Sequence, residues 1–145
     1  ENYLMDVRST LQYGVLHGCA KDGKISGASR LDYAEAAAAV LTLKSVKQIY
    51  ELSGDTSFTL KDVASELTNQ AGKRVDYIDL PEQEYQSLLV SYGLPEGIAA
   101  TLAMADTGAA NGDVYSESRD LAELIGRATT PLSKVVSQAL DTARD

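Results

Sequence analysis

Few side chains in this 145-residue chain could do chemistry: one histidine (His17), one cysteine (Cys19), eight tyrosines, and a run of carboxylates at Asp76, Asp79, Glu82 and Glu84. Each suggests a reaction class that spacing then tests. A Ser-His-Asp arrangement would have to use His17, but no Gly-x-Ser-x-Gly elbow is present to expose a nucleophilic serine. A lone loop histidine is usually solvated. Zinc takes about four ligands, or three when catalytic, so with one His and one Cys a zinc site would have to rely on carboxylates. Strand alternation and a turn scatter the four carboxylates, and a solvated acidic face accounts for them. No Gly-x-Gly-x-x-Gly and no glycine-rich lysine loop occurs, so the chain carries no nucleotide-binding fingerprint of its own.

The tyrosines are unusual beside one phenylalanine and no tryptophan. Phenols can donate protons or line a pocket for flat ligands, and they also pack as amphipathic core residues. A short-chain reductase would place a lysine four residues after a catalytic tyrosine. None of the eight has one.

Composition narrows the classes further. Thirteen Lys plus Arg against 21 Asp plus Glu give a formal charge of −8 with no basic run, which argues against a nucleic-acid partner. The single Cys19 forms no internal disulfide and fits a reducing compartment. No apolar run reaches the roughly 20 residues needed to span a bilayer, and no secretory signal opens the chain, so a cytoplasmic protein without a membrane role is expected. At 44% hydrophobic, the chain can build one core.

The elements that must position any site follow from periodicity and caps. Leu4, Val7, Leu11 and Val15 predict a helix over Asn2–Leu16, ended by Gly18, with His17–Lys24 a loop. Ile25–Ala28 reads extended. Ser29, with Asp32 three residues on, caps an alanine-rich helix whose small side chains allow close approach to a sheet or another helix. Gln48–Leu52 reads as a strand, which would make a strand-helix-strand unit. Thr59 with Asp62 caps the next helix, which Gly72 ends, and Arg74–Leu80 is a strand of ambiguous inward face. Pro81 starts a helix closed by Gly93-Leu94-Pro95. Helices over Gly97–Ala110 and Asp120–Ile125 follow, and Thr130-Pro131 opens the last one.

The order ENY, DGKISGASRLDYAEAAAAVL, IYELSGD, TLKDVASELTNQAGK, GLPEG and LIGRATTPL resembles the C-terminal half of the NAD(P)H-dependent quinone reductases. These are atypical short-chain dehydrogenase relatives close to the triphenylmethane reductases and the NmrA-like regulators. The resemblance covers essentially the whole chain, with Arg30, Asp32, Tyr33 and the following alanines its most distinctive part. It implies an α/β fold, the C-terminal part of a Rossmann-type protein, mostly helices with a few short strands. Residues 1–145 are then expected to be the substrate-binding half, and the dinucleotide-binding half lies outside this sequence. That accounts for both the missing fingerprint and a first helix without a cap or entry loop. By the same resemblance, Gln48–Leu52 would join the Rossmann sheet, while Gly18–Ala28 and Val75–Gly112 would build the lobe over the nicotinamide.

The resemblance also implies roles at the start of the chain. Asn2 falls where the family places a polar residue beside the reacting substrate, as an orienting or polarising amide. Glu1 and Tyr3 flank it as substrate-binding candidates. Capping of the first helix is the competing account of Asn2, and core packing that of Tyr3. Arg30 and Asp32 are expected to stabilise the turn into the helix. The implied cofactor is NADP, held mainly by the absent half, and the implied partners are a small quinone-like substrate and that half, with oligomerisation open. A non-enzymatic redox sensor of the NmrA-like kind and a stand-alone helical interaction domain are the alternatives.

Overall fold

A computed structural model describes residues 1–144. The chain opens with one 3-10 turn, Asn2–Leu4, and helix α1, Val7–Tyr13. Gly14 then adopts a left-handed conformation, φ 71°, and its N–H bonds the Thr10 carbonyl. That conformation favours glycine at a helix C-terminus. The helix expected through Leu16 therefore stops at Tyr13. The expected loop at His17 begins inside a strand, β1 (Val15–Gly18), so Gly14 and not Gly18 is the stop signal.

Strand β1 pairs in parallel with β2 (Asp76–Asp79), Val15 opposite Asp76 and Gly18 opposite Asp79. A parallel pair needs a long crossover. Here it contains α2 (Arg30–Thr42) and α3 (Leu60–Ala71). The inward face left ambiguous by sequence is the Val75 and Tyr77 face: Val75 is buried, whereas Asp76 and Ile78 are exposed.

Local caps set the helix starts. The Ser29 hydroxyl accepts from the Asp32 N–H at 3.0 Å. Thr59 and Asp62 form a reciprocal capping box, with Asp62 N–H on Thr59 Oγ1 at 3.2 Å and Thr59 N–H on Asp62 Oδ2 at 2.8 Å. This aims Leu60, Val63, Ala64 and Leu67 of α3 into the core with Leu4, Val7, Ile25 and Val75. Helices α4 (Glu82–Ser91) and α5 (Glu96–Asn111) form a hairpin, α6 (Asp120–Ile125) packs on α2, and α7 (Leu132–Arg144) closes the core through Val135, Val136 and Leu140.

The segment Ile25–Ala28 is extended, as expected. Ile25 and Phe58 exchange two backbone bonds of 2.8 and 3.0 Å, and the Gly54 N–H donates to the Ser26 carbonyl at 2.9 Å. A Cβ on Gly54 would land on the backbone carbonyl of Gly27. Gly54→Ala should accordingly cost about 1–3 kcal/mol of stability by overpacking, read as a lowered urea midpoint.

Gln48–Leu52 is not a strand. No neighbour among the described residues offers it a ladder; Ile49 is 77% exposed, and the Glu51 N–H bonds Asp120 Oδ2 at 3.1 Å instead. No strand-helix-strand unit forms around α2. One face of α2 is left bare, since Leu31, Ala34, Ala37, Ala38 and Leu41 are all exposed.

The carboxylates near β2 do more than face solvent. Asp79 Oδ1 accepts from the Lys21 N–H at 2.7 Å and from the Tyr77 hydroxyl at 2.8 Å, and Glu82 accepts from Thr107 at 2.8 Å. The Cys19 N–H donates to Asp106 Oδ2 at 3.0 Å, tying the end of β1 to α5. Burial pushes both the Asp106 carboxyl and the Cys19 thiol up, and the buried Cys19 thiol donates to the Ala103 carbonyl at 3.3 Å. Among the described residues, no helix is long and apolar enough to cross a membrane, and no cluster of three His, Cys, Asp or Glu side chains could hold a metal ion.

Candidate functional site

A cavity of about 890 Å³ opens where four distant segments meet: the first turn at Glu1–Leu4, residues 27–33, residues 55–63 and residues 128–135. Its size lies within the range of small-molecule sites. The starts of α2, α3 and α7 all contribute to the wall, through Ser29 and Arg30, Asp62 and Val63, and Pro131 and Leu132. Three helix N-termini, each a source of partial positive charge, thus border one space.

All three residues picked out at the start of the chain line this cavity. The Asn2 side chain is held by Arg30, whose Nη2 donates to Asn2 Oδ1 at 2.8 Å. It caps no helix: the N-cap of the first turn is Glu1, that of α1 is Asp6, and neither makes a side-chain cap bond. With Oδ1 engaged, the Nδ2 end of the carboxamide remains as a donor. Glu1 receives the Arg30 N–H on both carboxylate oxygens at 3.2 Å. Tyr3 is half-buried, packs against the core and meets Phe58 edge to face, ring centres 6.3 Å apart at 85°. Burial, reinforced by the charge of Asp106, pushes its phenol up and keeps it protonated.

The other carboxylates on the wall are already engaged. Asp62 closes its capping box, and Asp55 pairs with Arg119 Nη1 at 2.8 Å and accepts the Thr129 N–H at 2.8 Å. The Tyr33 hydroxyl accepts the Ala28 N–H at 3.2 Å.

No protein-family model matches the chain. It is 46% identical to quinone oxidoreductase 2 of Escherichia coli (strain K12) over 138 residues, which is 94% of the chain and 48% of that relative. It matches the crystal structure of the NADPH-dependent quinone oxidoreductase from Escherichia coli with a TM-score of 0.94 and 45% identity, over 97% of this chain and 51% of that one. The Citrobacter sp. triphenylmethane reductase complexed with NADP(H) matches with a TM-score of 0.87 and 30% identity, over 92% and 47%. The chain is homologous to the C-terminal half of these reductases. It spans about half the length of the relatives it matches.

Within the chain, the two stretches that carried the resemblance meet at one buried residue. Asp32, from RLDYAEAAAA, is fully buried and accepts from Arg127 Nη2 at 2.7 Å, the Thr130 N–H at 2.8 Å and Thr130 Oγ1 at 3.0 Å, all in LIGRATTPL. Burial by itself would raise this carboxyl, but the bonds from Thr130, Arg127 and Ser29 outweigh it and hold Asp32 below the usual carboxylate range. The expectation that Asp32 serves the helix start is right in kind but too local, because Asp32 also fixes the loop before α7 and with it one wall of the cavity. Sequence reasoning assigned Arg30 to the same turn and missed its bond to Asn2. It also missed the walls at residues 55–58 and 128–133. The available signal was three strong helix starts, at Ser29, Thr59 and Thr130, which sequence order alone could not bring together.

Proposed function

We propose that residues 1–145 are the substrate-binding half of an NAD(P)H-dependent oxidoreductase that reduces quinones or similarly flat acceptors by hydride transfer. Asn2 is the amide that meets the acceptor oxygen, with Glu1 and Tyr3 at the rim of the acceptor pocket. One observation carries this reading: the Asn2 carboxamide lines a cavity of about 890 Å³ with its carbonyl oxygen already bound by Arg30, so that its N–H end is the one offered to a ligand. The relatives support it, one being described as a quinone oxidoreductase complexed with NADPH and another as a triphenylmethane reductase complexed with NADP(H).

The donor set suits the acceptor and not the phosphates of a dinucleotide. Among the described residues that line the cavity, Arg30 is the one cationic side chain, and the chain has no glycine-rich phosphate loop. The dinucleotide is therefore assigned mainly to a second half of the protein. The bare α2 face, with Leu31 62% and Leu41 87% exposed, is the surface that half would cover. The twofold length of the relatives supports this division. When bound, the dinucleotide supplies the hydride.

The chain's own residues bind and orient the acceptor. Negative charge grows on the acceptor oxygen as it is reduced, and a preset N–H aimed at that oxygen stabilises the transition state more than the ground state. Tyr3, braced edge-on by Phe58, offers a rigid wall to a flat ring. A cytoplasmic location, with Cys19 a free buried thiol, belongs to the same reading.

The test is turnover by the protein carrying both halves, supplied with NADPH and a simple benzoquinone. Many turnovers per protein are expected. Stoichiometric dinucleotide binding with no quinone reduced would mark a redox sensor and overturn the reading.

A further inference from the structure

We propose that Arg30 is a positioning residue for this reaction: its guanidinium holds the Asn2 carboxamide so that an N–H, and not a carbonyl oxygen, faces the acceptor. The inference rests on the role given to Asn2 above. A carboxamide has a donor end and an acceptor end of nearly equal shape, and a half-turn about its last bond exchanges them. The wrong end would set oxygen against oxygen where negative charge is growing. A carboxamide keeps one orientation only where a bonding partner selects it.

Arg30 supplies the reason, because an arginine has donors and no acceptor. Its Nη2 can therefore bond only the oxygen of the carboxamide, which it does at 2.8 Å. Its backbone N–H holds the Glu1 carboxylate at 3.2 Å to each oxygen, so one residue grips both ends of the Glu1-Asn2 pair. Arg30 is itself well placed to set an orientation. It is the first residue of α2, directly after the Ser29 cap and two residues before buried Asp32, which anchors the helix start to Thr130 and Arg127. A charge-assisted bond from a fixed helix start gives the carboxamide a definite sense, and misorientation of a catalytic group by a modest distance or angle is costly.

The experiment is a double-mutant cycle in the protein carrying both halves, with NADPH and a benzoquinone as substrates. Arg30→Met keeps the apolar stem and removes every side-chain donor. It should lower kcat about 10- to 100-fold, with KM for NADPH and the thermal midpoint little changed. Arg30→Lys, which retains one ammonium donor, should recover part of the loss. In the Asn2→Ala background Arg30→Met should cost no more than about twofold, because the group it orients is gone. Should Arg30→Met fail to fold, Arg30→Lys alone and in the Asn2→Ala background makes the same comparison. Losses that multiply in the double variant would mean that Arg30 acts on the acceptor directly and would overturn the inference while leaving Asn2 in place. An Arg30→Met variant with wild-type kcat would do the same. An Asn2→Ala variant with wild-type kcat would overturn both readings.

Discussion

Asn2→Ala should lower kcat for quinone reduction by about 10²- to 10³-fold, the loss typical of removing one donor to a developing oxyanion. The argument is geometric. The carboxamide lines the cavity, its oxygen is taken by Arg30 at 2.8 Å, and it makes no cap bond, so truncation leaves the local helices intact. Stability should therefore change little while turnover falls. Asn2→Asp is the sharper variant. It keeps the shape and strengthens the bond to Arg30, but replaces the donor with a second acceptor that repels negative charge on the substrate. It should be at least as slow as Asn2→Ala. Steady-state kinetics on both variants, with thermal midpoints measured alongside, distinguishes loss of the donor from loss of the fold.

Asp32→Ala should cost about 3 kcal/mol of stability. Removing one partner of a buried ion pair costs roughly 3–5 kcal/mol; the lower end applies because the Arg127 side chain is 40% exposed and regains water. The Thr130 N–H and hydroxyl would be left without their acceptor as well. Asp32→Asn, which keeps the shape and one acceptor oxygen, should cost about 2 kcal/mol by losing the charge. The pH dependence follows from the direction of the Asp32 shift. Its carboxyl lies below the usual range in the folded protein, so the stabilisation is fully present above the unfolded value of about 4 and is lost as pH falls through the folded one. Urea denaturation should show the difference between wild type and Asp32→Asn to be constant from neutral pH down to about pH 5 and to shrink below about pH 4. A difference that stays constant down to pH 2 would mean that Asp32 is not held as a carboxylate.

Features written in a few consecutive residues were legible in the sequence. The starts at Ser29, Thr59 and Pro81 and the whole of α6 were read correctly because a cap or a proline acts on its own neighbours. Errors came where a distant partner decides the outcome. Val15 continues the apolar stripe of α1 by spacing, yet Gly14 turns the chain and β2, about sixty residues on, claims Val15 and Leu16 as a strand. Gln48–Leu52 has strand-forming residues but finds no ladder among the described residues, so its backbone bonds Asp120. The candidate site divides the same way. Glu1, Asn2 and Tyr3 were named as one triplet, and all three line the cavity. The bond from Arg30 and the walls from residues 55–58 and 128–133 depend on how α2, α3 and α7 converge, which no local spacing records.

The central claim is that this chain supplies the acceptor site and depends on a second half for the hydride donor. It is tested most directly by following NADPH oxidation with a benzoquinone for the chain alone, for the dinucleotide-binding half alone, and for the two joined in one protein. The account predicts quinone turnover only in the joined protein. Quinone reduction by the chain alone, at a rate comparable to that of the joined protein, would contradict it.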